Sequence, residues 1–264
     1  MTNRIDVLDH GFVRLVSYTQ PIPLGEAFDK GRHVGLTDAG WTGDLEIVRN
    51  ARTSYNADWR KEAIYDAEPG REGIADAAKA KDAKLIHYLW RHRHTTPFEA
   101  MVFTFEVQAP IFVFRQWHRH RTWSYNEVSA RYTELPDLFY IPAIDQIRPQ
   151  SKTNKQGRAM DETIVEAGLV QREMKGMCDA ARASYVMLLN SGVARELARL
   201  VLPVNTYSRM FATVDLRNLF HFLELRLDEH AQFEIRVYAE ALLRLIEPIV
   251  PIAVEAFRQS LKKE

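Results

Sequence analysis

Residues 110–132 read Pro110-Ile-Phe-Val-Phe-Arg115-Gln116-Trp-His-Arg119-His120-Arg121-Thr-Trp-Ser124-Tyr-Asn126-Glu127-Val-Ser129-Ala130-Arg131-Tyr132, and within this stretch one periodicity gives way to another. Proline presets a helical φ and lacks an N–H, so Pro110 predicts a helix over 111–120. Arg115 and Arg119, four apart, share one face of that helix. Three guanidiniums and two imidazoles fall within 115–121, directly after the apolar run 111–114. A cationic face leaving an apolar helix calls for a compensating anion, and the planar guanidinium fork suits phosphate. From Asn126 the chain alternates instead. Glu127, Ser129 and Arg131 take one face of an extended strand, while Val128, Ala130 and Tyr132 anchor the other. A carboxylate, a hydroxyl and a guanidinium in line can hydrogen-bond sugar hydroxyls, base edges and phosphate together.

Working outward, Phe103, Phe105 and Val107 alternate with Thr104, Glu106 and Gln108, the pattern of a half-buried strand. Thr96-Pro97-Phe98-Glu99 has capping-box spacing, with Thr96 as the cap and proline first in the helix. Leu85, Ile86, Leu89 and Trp90 mark a helix over 80–93. Asp44 is placed to cap a helix over 45–52, and Asp215 one running to Arg226. Residues 4–18 read as a strand pair about Gly11, and 206–214 as a further strand. Further helices are expected over 161–190, 194–202, 229–247 and 252–262, with inserted loops near 20–43, 56–78 and 145–160. The sum is α+β: a single domain over 1–264 with a central, mostly antiparallel sheet flanked by helices and a helix-rich C-terminal half.

The 264 residues are 46% hydrophobic, enough for a substantial core. Lys+Arg and Asp+Glu are both 35, so any basic site is local rather than a global pull toward nucleic acid or membrane. One cysteine, Cys178, permits no internal disulfide; with no signal peptide or spanning segment, a cytoplasmic protein is expected. Cys178 sits in a helical stretch and reads as filler rather than a nucleophile. His92/His94 and His118/His120 form two His-x-His pairs, but Arg93, Arg119 and Arg121 beside them repel a dication, so no metal is expected. As an alternative to an enzyme, the arginines with Trp117, Trp123 and Tyr125 as stacking platforms could form a single-stranded nucleic-acid binding module, although the neutral chain speaks against it.

The stretch from Arg119 to Arg131 resembles the flavin-dependent thymidylate synthase signature RHR-x-x-S-x-N-E-x-S-x-R at all eight specified positions. His94-x-Thr96-Pro97-Phe98-Glu99, Arg52-Thr53-Ser54, Arg199-Leu-Val-Leu-Pro203 and Leu225-Arg226-x-Asp228-x-His230-Ala231-Gln232 resemble further segments of that family. The resemblance implies reductive methylation of dUMP to dTMP. The carbon donor is 5,10-methylenetetrahydrofolate, FAD carries hydride and NADPH is the reductant. It assigns dUMP to Gln116, Arg119, Glu127, Ser129, Ala130, Arg131, Arg199 and Arg226, with Arg226 catalytic through ionisation at uracil N3. It assigns FAD to Ser54, Thr96, Arg119, His120, Arg121, Glu127, Asp215, Arg217 and His221, and places His94 near flavin and folate. Asp215 and His221 stand where many members carry amides, and an acidic group near FAD phosphates would be unfavourable. The family is homotetrameric with FAD at subunit interfaces, which accounts for a chain without a G-x-G-x-x-G or P-loop motif.

Overall fold

The alternation around Gly11 sets up the first two strands of the computed structural model, which describes residues 2–20, 42–54, 72–159 and 162–262. β1 (Arg4–Val7) and β2 (Gly11–Tyr18) pair antiparallel, in a register running from Arg4↔Arg14 to Val7↔Gly11. Gly11 is required by close approach: a Cβ there would collide with the Tyr238 hydroxyl and stand 2.7 Å from the Val7 carbonyl oxygen. With β3 (Val102–Pro110), β4 (Ser124–Glu127) and β5 (Tyr207–Asp215) they make a five-stranded antiparallel sheet of order β1-β2-β3-β5-β4. The expected α+β architecture is the one found.

β3 keeps the expected alternation, with Phe103, Phe105 and Val107 buried and Thr104 and Gln108 partly open; the departure is at Glu106. Glu106, expected on an open face, is buried and paired with Arg14 at 2.9 Å and Arg209 at 3.4 Å. A carboxylate is tolerated at such a position only with partners of this kind. Thr104 and Thr213 meet hydroxyl to hydroxyl at 3.0 Å.

The helices are α1 (Thr42–Thr53), α2 (Glu72–Arg91), α3 (Thr96–Glu99), α4 (Ile111–Trp117), α5 (Ala167–Asn190), α6 (Arg195–Ala198), α7 (Leu216–Arg226), α8 (Phe233–Ile246) and α9 (Pro251–Leu261). The chain divides into two compact units. Unit 1 comprises Met1–Arg14, Phe105–Ala212 and Leu225–Ala241; unit 2 comprises Leu15–Thr104, Thr213–Glu224 and Leu242–Glu264. In unit 2 Trp90 packs edge-on against Phe98 and Phe220, at 5.4 and 5.1 Å, and Phe220 stacks on Phe257 at 4.6 Å. Each of these fully buried phenyl rings is worth about 1.5–3 kcal/mol of apolar transfer. In unit 1 the centre is Trp117, edge-on to Trp123 at 5.7 Å and to Tyr238 at 6.1 Å.

Three local expectations are corrected. Asp44 does not cap its own helix, which already begins at Thr42; its carboxylate instead accepts the backbone N–H groups of Ile252 (2.9 Å) and Ala253 (3.0 Å) and so caps α9. Burial pushes the Asp44 carboxyl up to about 7 despite those two bonds. The loop near 56–78 gives way to α2 at Glu72, because the alanine-rich run from 75 outweighs Gly73; its earlier part lies outside the described residues, as does most of the loop at 20–43. Thr96 is the first residue of α3 rather than its cap; Thr95 holds that place and makes no side-chain capping bond.

Candidate active site

α4 is positioned by its start. Pro110 stands at the cap in an extended conformation, and the next two N–H groups donate to the carbonyls of Thr206 (Ile111, 3.0 Å) and Val204 (Phe112, 2.9 Å). Donors that a helix start leaves open are thereby used to fix α4 beside the approach to β5. The helix stops at Trp117, three residues short of expectation. There the Tyr125 hydroxyl bridges the carbonyls of Trp117 (3.1 Å) and His120 (2.8 Å) and holds the turn. The turn leaves Arg119 and Arg121 exposed and His120 buried. Cations just past a helix C-terminus also meet the favourable end of its dipole.

The strand expected through Arg131 ends at Glu127. Val128 still donates to the Arg209 carbonyl at 2.9 Å, but the Ser129 carbonyl then accepts the N–H groups of Tyr132 (3.0 Å) and Thr133 (3.1 Å), which turns the chain. Glu127, Ser129 and Arg131 therefore do not form a row, and Tyr132 is 80% exposed rather than an anchor. Glu127, Ser129, Ala130 and Arg199 do come together. They line a cavity of about 360 Å³ with Arg115, His118 and Ser208. Arg131 lies outside it and pairs with Glu196 at 3.6 Å.

Gln116, Arg119 and Arg226 do not line that cavity. Arg226, in the last turn of α7, donates through Nε to His120 Nε2 at 3.1 Å, which fixes the imidazole as an acceptor at that nitrogen. Burial, and then the neighbouring Arg119 charge, lower the Arg226 pKa. Two guanidiniums that raise each other's energy make a place where an anion is stabilised. Gln116 Nε2 donates to Gln232 Oε1, and Gln232 Nε2 donates to Glu234 Oε2 at 2.8 Å. The other Glu234 oxygen accepts from Arg158 Nη2 at 2.5 Å and from the Tyr140 hydroxyl at 3.0 Å. Arg158 comes from the loop near 145–160, for which the sequence offered no role.

The remaining candidates lie in unit 2. Ser54 and Thr96 are exposed at the end of α1 and the start of α3. His94 is exposed after α2, where Arg93 takes a left-handed φ of 57° and the His94 N–H closes onto the Leu89 carbonyl at 2.9 Å. Arg217 and His221 are four apart on α7 and so share a face. Asp215 is the cap expected of it: Oδ1 accepts the Asn218 N–H at 2.9 Å and Oδ2 accepts Asn218 Nδ2 at 2.6 Å. Its acidic group is thus committed to its own helix.

The family model described as thymidylate synthase complementing protein matches residues 36–252. The chain belongs to the flavin-dependent thymidylate synthase family. It is 42% identical over 256 residues to the flavin-dependent thymidylate synthase of Dictyostelium discoideum, covering 96% of this chain and 73% of that one. The flavin-dependent thymidylate synthase of Thermus thermophilus is 43% identical over 260 residues, covering 97% and 79%. Among solved structures, the UMP/dUMP methylase PolB of Streptomyces cacaoi bound with 5-Br dUMP superposes with a TM-score of 0.73 at 33% identity, covering 97% of each chain.

Trp117 and Trp123 are 0% and 5% exposed and offer no stacking platform to a nucleic acid. Among the described residues no group of three or more His, Cys, Asp or Glu side chains is placed to hold a metal ion. Cys178 is buried on α5, accepts a hydrogen bond from Asn205 Nδ2 at 3.2 Å, and does not line the cavity of Glu127 and Arg199. No helix among the described residues is long and apolar enough to cross a membrane. Sequence reading missed Ser208 and Arg158 and left Arg115 unassigned to any ligand. For Arg115 the signal was its place in the cationic run behind the apolar residues 111–114; the face it was expected to share with Arg119 does not form, because α4 ends at Trp117.

Proposed function

We propose that this chain converts dUMP to dTMP in the cytoplasm, with 5,10-methylenetetrahydrofolate as carbon donor and NADPH as reductant, without a cysteine nucleophile. Bound FAD supplies hydride transfer. The observation that carries the reading is the pairing of two anion-ready places in unit 1: the cavity of Glu127, Ser129, Ala130 and Arg199, and the Arg119–Arg226 pair. Arg199 and Ser129 suit a nucleotide phosphate, and Glu127 suits the donors of sugar or base. Arg226, held by His120, would stabilise negative charge on the uracil as N3 loses its proton. That charge makes C5 electron-rich enough to attack the carbon donor.

The residues assigned to flavin fit an anionic dinucleotide. Arg121 is exposed, and Arg217 lies in the first turn of α7, where the dipole favours anions, with His221 one turn further on the same face. Asp215 is bonded to Asn218, so its presence is compatible with that fit. Ser54, Thr96 and Glu127 supply hydroxyl and carboxylate groups, and His94 an imidazole for flavin and folate. A homotetramer with FAD at subunit interfaces is supported by the apolar side chains left open on α5 and beyond. Met177, Leu200 and Val204 are 70%, 76% and 63% exposed.

The test is the absorption spectrum of the purified protein. Yellow flavin bands that bleach with NADPH, faster when dUMP is present, are expected. Colourless protein unable to take up added FAD refutes the reading.

A further inference from the structure

Three polar members of the cavity that holds Glu127, Ser129 and Arg199 are not assigned by the family resemblance, and two of them, Arg115 and Ser208, have no hydrogen-bond or ion-pair partner among the described residues. Arg115 projects from the last turn of α4, is exposed, and among the described residues has no carboxylate within ion-pair distance. Of the other arginines offered for this ligand, Arg131 pairs with Glu196, Arg199 Nε donates to the Glu196 carbonyl at 3.4 Å and Arg226 donates to His120, while Arg119 stands outside the cavity. Ser208, on β5, is 2% exposed, and among the described residues its hydroxyl has no hydrogen-bond partner. A buried hydroxyl without a partner costs about 1–3 kcal/mol, so it is poised for one that arrives with a ligand.

The charges around the cavity set the chemistry of that ligand. Arg115 and Arg199 face one carboxylate, Glu127, so the lining carries an uncompensated positive charge even with His118 neutral. A guanidinium with no partner recognises a phosphate monoester through its fork, and a hydroxyl beside it can donate to the same anion. We infer that Arg115 grips the 5′-phosphate of the nucleotide together with Arg199, and that the Ser208 hydroxyl supplies a further donor to that phosphate. The inference rests on the dUMP reading above and adds two residues to it.

The experiment titrates dUMP, and deoxyuridine as its phosphate-free counterpart, into the flavin-loaded protein and its variants. Arg115→Ala is expected to raise the dUMP Kd about tenfold or more, the loss of one charge-assisted contact. It should leave deoxyuridine binding and Tm unchanged. Ser208→Ala is expected to raise the dUMP Kd by roughly fivefold while Tm stays level or rises, because an unsatisfied hydroxyl has been removed. Ser208→Thr, which keeps the hydroxyl, should restore affinity. A merely structural serine would instead lower Tm on truncation. An unchanged dUMP Kd in Arg115→Ala, or an equal loss for deoxyuridine, overturns the assignment alone. A parent protein that binds no dUMP overturns the nucleotide reading and the assignment with it.

Discussion

Replacing Arg158 with alanine strands a buried carboxylate. In the native protein Arg158 Nη2 stands 2.5 Å from Glu234 Oε1, with side-chain exposures of 23% and 3%, and Nη1 donates to the Gln146 carbonyl at 2.8 Å. Removing one member of a buried pair costs about 3–5 kcal/mol, mostly as the penalty of the charge left behind. Glu234 keeps two donors, the Tyr140 hydroxyl and Gln232 Nε2, which argues for the lower end of that range. A loss of about 3 kcal/mol corresponds to a Tm lower by roughly 6–12 °C for a chain of this size. The pH dependence carries the sign. Burial raises the Glu234 pKa, but the hydrogen bond and charge of Arg158 outweigh it, and the net position is below the ordinary 4.5. Glu234 therefore contributes stability above that pH, and the contribution is lost as pH falls through the lowered pKa. Without Arg158 burial wins and the pKa rises, so the variant gains relative stability toward acid. Thermal melts from pH 4 to pH 8 should show the gap between parent and Arg158→Ala widest at pH 8 and narrowing toward pH 4. The double variant with Glu234→Gln should recover part of the loss. A Tm within 2 °C of the parent, or a gap independent of pH, refutes the reasoning (about 1 kcal/mol or less).

Asp44 titrates in the opposite sense. Its folded pKa is raised to about 7, so its contribution is present at acid pH and lost as pH rises from its ordinary 3.8 through 7. Melts of Asp44→Asn should vary less with pH over that window than those of the parent; an unchanged slope counts against it. Arg226→Ala should lose dTMP formation by about a hundredfold or more while retaining flavin absorbance, the scale expected when a preorganised charge is removed. Unchanged turnover would remove its role. Cys178→Ser should form dTMP at close to the parental rate, since Asn205 can still donate to the hydroxyl. A folded but inactive protein would restore the cysteine as a nucleophile.

The features legible in the sequence were those whose partners are near in the chain. The hairpin about Gly11 and the Asp215 cap each close within a few residues, and periodicity or capping chemistry is enough to read them. The Asp44 cap was misread because the helix start it serves lies 208 residues away. Glu106 looked solvent-facing because alternation along one strand does not show the Arg14 and Arg209 side chains that the neighbouring strands bring to it. The row Glu127, Ser129, Arg131 kept its period in sequence, yet the Ser129 carbonyl takes two later N–H groups and breaks the strand. The loop near 145–160 looked idle because Arg158 acts on Glu234, 76 residues on.

The site itself divides along a single helix. Arg115 and Gln116 are neighbours on α4, and consecutive residues of a helix point about 100° apart. Arg115 accordingly faces the cavity with Ser129 and Arg199, while Gln116 faces Gln232. Arg119 and Arg226 also stand outside the cavity, so the residues that the resemblance assigns to one dUMP lie in two groups within one chain. In the proposed homotetramer this is resolved if each nucleotide takes its phosphate contacts from one chain and its Arg119–Arg226 pair from another. The basic run in residues 115–121 thus serves two surfaces: Arg115 leaves the last turn of α4 toward the cavity, and Arg119 follows in the turn after the helix has ended.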